Sequence, residues 1–220
     1  MRILGTALDL IRSARRPYLL INIAYYGFVV CAMLYTAFNR PLQQSLMDSV
    51  AVSLSEGPLS TVAEAYLGNR VLPAIGLTLG INVAVGSFAT ITLPSLIIPF
   101  SGLLTGEIRA MVWGVLFSPQ VSGGIGVQDV VAGIMLLGLI FLEGQGYVLA
   151  MFGAFLHGRA FVLPRHSERS RGISPSWHGY LRGLKQQAHI YLLVVLVLLI
   201  AALYEVGLAM VVAPALYPQP

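Results

Sequence analysis

From Val71 to Gly106 the chain carries no charged residue for 36 positions, about 54 Å of α-helix at ~1.5 Å per residue. The hydrocarbon core of a bilayer is about 30 Å thick and is crossed by about 20 apolar residues. A single crossing cannot use the whole stretch, so it predicts two crossings joined by a reversal. Composition points the same way: 57% of the residues are apolar and 10% charged, where a soluble chain is about a quarter charged. These features predict one integral membrane domain over residues 1–220, an all-α polytopic transmembrane helix bundle.

The spans follow from the apolar runs. Tyr18 to Phe38 is the first, with Asn22, Tyr25 and Tyr26 as its notable polar groups. A signal peptide has a core of about 7 to 15 residues followed by a small-residue cleavage site; this run is longer and ends Thr36-Ala37-Phe38-Asn39-Arg40, so it is expected to be retained. Proline lacks an amide donor and biases its predecessor away from helix. Leu93-Pro94-Ser95 is therefore the expected corner, with a second helix from Val71 to Thr92 and a third from Leu96 to Phe117. Pro119 and Ser122-Gly123-Gly124-Ile125-Gly126 read as an exit loop. The fourth helix covers Val130 to His157, tilting or breaking at Glu143-Gly144-Gln145-Gly146, and the fifth about Ile190 to Leu216, ending at Pro218.

Basic residues set the orientation. Arg2, Arg12, Arg15 and Arg16 precede the first helix, while Arg159, Arg165, Arg169, Arg171, Arg182 and Lys185 lie between the fourth and fifth. With about five crossings, ten of the 13 basic residues fall on one side, placing the amino terminus and the 158–188 loop in the cytoplasm. A hairpin at Gly144 to Gly146 would add a sixth crossing and move the basic loop outside. The net charge of +4 forms no continuous stripe of the kind nucleic acid requires. Residues 1–16, with Leu4, Leu8 and Ile11 at helical spacing, predict a helix lying on the bilayer surface. Across residues 40–70, Leu42, Leu46 and Val50 share a face, and Thr61-Val62-Ala63-Glu64 resembles a capping box; this external segment either covers a partner or headgroups or rests on lipid. The 158–188 loop, with Ser167, Ser170, Ser174 and Ser176 among its arginines, either docks a cytoplasmic partner or only sets orientation.

Glu107, Arg109, Glu143 and Glu205 lie inside predicted spans, where a charge costs about 2.5–3.5 kcal/mol. Glu107 and Arg109 are two apart and cannot face each other on one helix, so Arg109 is expected to pair with Glu143 from another helix. Such groups either lock helices or subunits together or line an ion pathway. Gly76 with Gly80, and Gly102 with Gly106, are small residues four apart that allow close helix packing, including between subunits. Gly144 and Gly146 would either kink the fourth helix or unwind it beside Glu143.

No phosphate-cradling glycine loop, paired metal histidines or serine elbow is present, which predicts no enzymatic activity, cofactor or metal. His157, at a helix end, and His166, His178 and His189, in or beside the basic loop, are expected to be solvated. Cys31 is single, which excludes an internal disulfide, and Phe28-Val29-Val30 before it lacks the small residues of a lipid-attachment site.

Gly80-Ile81-Asn82, Gly86, Pro94 and Phe100-Ser101-Gly102-Leu103-Leu104-Thr105-Gly106 resemble the stage II sporulation protein M family, the last of these matching its Phe-Asn-Gly-x-x-x-Gly element with serine for asparagine. The match resumes at Leu142-Glu143-Gly144, where the family has Pro-His-Gly, and at Tyr147, where it has a glutamate, and continues to Gly158. The resemblance spans about residues 70–160. It implies a non-enzymatic component of a bacterial membrane complex; the sporulation member is associated with cell-wall hydrolases. Asn82 and Tyr147 join the four charged residues as a candidate intramembrane polar cluster. The expected function is a scaffolding or oligomerising subunit of the cytoplasmic membrane, with the lipid bilayer, other copies or other subunits as partners. A small transporter or exporter permease using midplane carboxylates is the alternative.

Overall fold

The computed structural model describes residues 2–57, 59–119, 127–163, 175–212 and 214, and among these every regular element is helical. The chain is an all-α bundle: α1 (Arg2–Ser13), α2 (Arg15–Ala37), α3 (Arg40–Ser55), α4 (Ser60–Leu67), α5 (Val71–Ile81), a π-helical segment Asn82–Thr92, α6 (Leu93–Ile97), α7 (Ser101–Leu116), α8 (Val127–Val162) and α9 (Pro175–Gly207) with a π-helical turn Leu208–Val212. Among the described residues, four helical stretches are long and apolar enough to cross a membrane: Arg15–Ala37, Val71–Ile97, Val130–Val162 and Trp177–Val212. Their outward faces carry exposed Leu20, Ile23, Leu72, Ile97, Ile134 and Ile200, the pattern of a membrane-embedded protein.

The reversal after the second span lies beyond the expected corner. The chain stays helical through Pro94 to Ile97 and turns at residues 98–100, with Phe100 in the left-handed region at φ 68°. The preceding π-helical turns explain this. A proline ring in an α-helix collides with the carbonyl four residues back, and the wider π spacing moves that carbonyl aside: the Leu93 amide already bonds to Phe88 O, five residues back. Ser95 Oγ then accepts the Gly102 amide at 2.7 Å, satisfying one of the open donors at the start of α7.

Because the turn is late, α7 has 16 residues and is about 24 Å long, short of a full crossing. Long spans among the described residues therefore number four, not the five expected. The chain's alternation of direction survives nonetheless. At one end of α7, Phe100 packs on Gly158 and Phe155 of α8. At the other, Ser118 Oγ donates to Met33 O at 2.8 Å and Gln43 Nε2 to Ser118 O at 2.9 Å. Thus α7 runs alongside α2 and antiparallel to α8, and α1 shares one end of the bundle with the α8–α9 junction.

Helix α8 is continuous, so neither the break at Glu143–Gly146 nor a hairpin there exists. Its glycines admit neighbouring side chains instead: Gly144 faces Tyr25 and Tyr26, and Gly146 faces Leu198. Helix α9 begins at Pro175, well inside the stretch expected to be loop. It packs antiparallel to α8 along Gly138–Tyr204, Gly146–Leu198, Gly153–Ile190 and Gly183–His157. His157, expected in solvent, is buried with its ring edge-on to Tyr180, centroids 4.8 Å apart, because α9 extends past it.

Helix α1 divides its apolar residues, exposing Leu4 and Leu8 while Ala7, Leu10 and Ile11 join the core. Helix α4 starts at Ser60 with no side-chain cap, so the capping box at Thr61–Glu64 does not form. The 120–126 exit loop, Arg165, His166, Arg169, Arg171 and the end at Pro218 lie outside the described residues.

Candidate functional site: an intramembrane arginine–tyrosine–carboxylate cluster

Asn82 and Gly86 project from the π-helical segment, Arg109 from the middle of α7, and Glu143 and Tyr147 from one face of α8, four residues apart. The Tyr147 hydroxyl is the hub. It accepts from Arg109 Nη2 at 2.6 Å, lies 3.1 Å from Asn82 Oδ1, and bonds to Glu143 Oε1. Arg109 Nη2 is also 3.9 Å from Glu143 Oε1, and its Cζ lies 4.0 Å from the Tyr147 ring centroid, so guanidinium and ring stack. Tyr147 is 0% exposed and Glu143 3%. A tyrosine hydroxyl has one proton, so Glu143 and Asn82 compete for it, while the arginine charge stays against both hydroxyl and carboxylate.

Gly86 makes the approach feasible. A Cβ there would sit 2.8 Å from Arg109 Nη2 and 2.9 Å from Tyr147 Oη, closer than van der Waals contact allows. Trp113 of α7 closes the far side, edge-on to Tyr147 at 6.1 Å. Arg109 also borders a lateral groove of about 430 Å³ lined by Thr90, Pro94, Thr105 and Trp113.

The cluster unites Asn82, Arg109, Glu143 and Tyr147 and omits the other two candidates. Glu107 lies on the α7 face shared with Ala110 and Gly114, the face packed on Val29 of α2. Glu205 sits in a separate group, accepting from Tyr66 Oη at 3.3 Å, with Thr78 Oγ1 3.1 Å from the same hydroxyl. Ala65, Ala74 and Val206 pack around that group, so part of the 40–70 segment covers its own chain. Burial pushes the Tyr66 hydroxyl up to about 12, with the Glu205 carboxylate adding to the effect.

The two glycine pairs differ. Gly102 and Gly106 face Ser95 and Met151 inside the chain, whereas Gly76 and Gly80 have nothing within 4 Å of where a Cβ would stand. Among the described residues no group of three or more His, Cys, Asp or Glu side chains is placed to hold a metal. Sequence reasoning passed over Gly86 as a site residue, although its place four after Asn82 puts both on one helical face. It also missed Tyr66 and Thr78, for which no local signal exists. No protein-family model, curated protein or solved structure matches the chain.

Proposed function

We propose that the chain is a non-enzymatic integral membrane subunit that scaffolds or oligomerises within a bacterial membrane complex, as its resemblance to the stage II sporulation protein M family implies, with its amino terminus in the cytoplasm. The observation that carries this reading is the open small-residue stripe that runs along α5 into the π-helical segment. Pro73, Gly76, Gly80 and Ala84 recur at helical spacing and are all exposed, and nothing in the chain packs on the two glycines. In lipid, helices associate through close backbone approach at such stripes. The Arg109–Glu143–Tyr147–Asn82 cluster fits the same role, since it ties three helices together from within.

Transport draws less support. A midplane binding site is usually built on an interrupted helix, but α8 passes Glu143 unbroken and the carboxylate is engaged by Tyr147. Purification in mild detergent with mass determination by light scattering tests the proposal. The expected result is a defined homo-oligomer or a stoichiometric complex, which Gly80→Leu disperses while the chain stays folded. A 23.6 kDa monomer, or an assembly indifferent to Gly80→Leu, would overturn it; ion flux into liposomes that vanishes with Glu143→Gln would favour transport.

A further inference from the structure

Among the described residues, Glu107 is the intramembrane charge left without a partner. Arg109 and Glu143 meet at Tyr147, and Glu205 accepts from Tyr66. Glu107 Oε2 is buried and has no hydrogen-bond partner, and the carboxylate takes part in neither of the ion pairs, Arg12 with Asp9 and Arg109 with Glu143. Tyr25 of α2 lies within electrostatic reach of it. The Tyr25 hydroxyl makes no hydrogen bond either, since that residue is 0% exposed and its ring lies against Gly144 of α8.

Helical spacing fixes where this carboxylate stands. Gly114, seven residues on, packs against Val29 and Ala32 of α2, while Leu104, three before, and Met111, four after, are 67% and 40% exposed. Residues three, four and seven apart share a helix face, and Glu107 is itself half-buried. It therefore lies at the edge where the α2–α7 seam opens toward lipid. The same seam gives the depth. Gly114 meets Val29 and Ser118 bonds to Met33, so seven residues back Glu107 is level with Asn22, inside the first span and at the height of exposed Leu19 and Ile23. An ionised carboxylate there is costly unless a cation compensates it. The chain has none to spare: among the described residues Arg109 is the basic side chain at this level, and Tyr147 and Glu143 hold it. A second copy would offer the same arginine, held in the same way, so charge complementarity points to a different protein.

We propose that the Glu107 edge of the α2–α7 seam docks a transmembrane helix of another protein that carries a lysine or arginine at matching depth. The inference rests on the subunit role proposed above and names the chemistry of the partner. Exposed Leu104, Ile108 and Met111 supply the apolar contact beside the ion pair, and polar pairs between helices hold such contacts together in lipid. The test places the full chain in phosphatidylcholine liposomes with leucine–alanine transmembrane peptides that differ only in one central residue, lysine, glutamine or leucine. Energy transfer from a donor on exposed Cys31 to labelled peptide reads association. The lysine peptide should associate about tenfold more tightly than the leucine peptide, and the glutamine peptide should behave like leucine. Glu107→Gln should abolish the lysine preference and Glu107→Asp should keep it. A diazirine residue beside the lysine should cross-link to α7 near Leu104 or Met111, located by mass spectrometry, a readout that does not depend on Glu107→Gln folding. Equal association of lysine and leucine peptides with the parent would overturn the proposal, as would an undiminished lysine preference in folded Glu107→Gln or a cross-link elsewhere in the bundle. Glutamine binding as tightly as lysine would make Glu107 a neutral hydrogen-bonding group and overturn it too. The subunit reading is judged separately: an assembly that Gly80→Leu disperses, combined with no lysine preference, overturns this docking site alone.

Discussion

Replacing Gly86 by alanine isolates the contact on which the polar cluster depends. In a helix interior this change is ordinarily favourable by about 1 kcal/mol, because glycine loses the most backbone freedom on folding. At Gly86 the new methyl would stand 2.8 Å from Arg109 Nη2 and 2.9 Å from Tyr147 Oη, and it cannot be accommodated while those two atoms stay bonded at 2.6 Å. A hydrogen bond to a charged group contributes about 1.5–3 kcal/mol, so displacing it outweighs the propensity gain of about 1 kcal/mol and leaves a net loss of about 0.5–2 kcal/mol. Gly27 of α2 is the control, as nothing lies within 4 Å of its would-be Cβ, and Gly27→Ala should be neutral or stabilising by up to about 1 kcal/mol. Both are measured by unfolding in mixed micelles titrated with dodecyl sulfate, following fluorescence; Trp113, next to Tyr147, reports on the site itself. Equal stabilisation by the two substitutions would refute the reasoning.

Tyr147→Phe keeps the ring under Arg109 but removes the hydroxyl that meets Arg109, Asn82 and Glu143. It should destabilise by about 2–4 kcal/mol in the same titration, since three polar groups lose a partner in a dry setting. The Tyr66 hydroxyl, raised from 10.0 to about 12 by burial, predicts a stability step at high pH. Above about pH 10 the unfolded chain releases this proton before the folded one does, so stability should fall between about pH 10 and 12. Tyr66→Phe should remove that step from the pH dependence of the unfolding midpoint, and an unchanged profile would count against it.

Much of the bundle was legible in the sequence because lipid is an exacting solvent: of the five crossings that the apolar runs marked, four are long enough to span among the described residues, and the cost of an isolated charge brought Arg109 and Glu143 together. What was hidden depended on neighbours. Pro94 alone argues for a corner, and only the π-helical turns before it allow the helix to continue. Gly144 and Gly146 alone argue for a break; against Tyr25, Tyr26 and Leu198 they are packing sites. Gly138, Gly146 and Gly153, spaced seven to eight apart, did carry a readable signal for the α8–α9 seam. His157 looked solvated because the start of α9 was read as loop, and Glu205 gave no hint that Tyr66, far away in sequence, would reach it.

The central claim is that the intramembrane arginine is compensated by the carboxylate and tyrosine of the facing helix. A double-mutant cycle of Arg109→Ala and Glu143→Gln, with unfolding free energies for all four proteins, tests it most directly. The account predicts that each single change is destabilising, and that the double variant is more stable than their sum implies by about 1–3 kcal/mol, because removing both partners leaves no unpaired charge. Additivity within about 0.5 kcal/mol would show the two side chains to be independent and would contradict it.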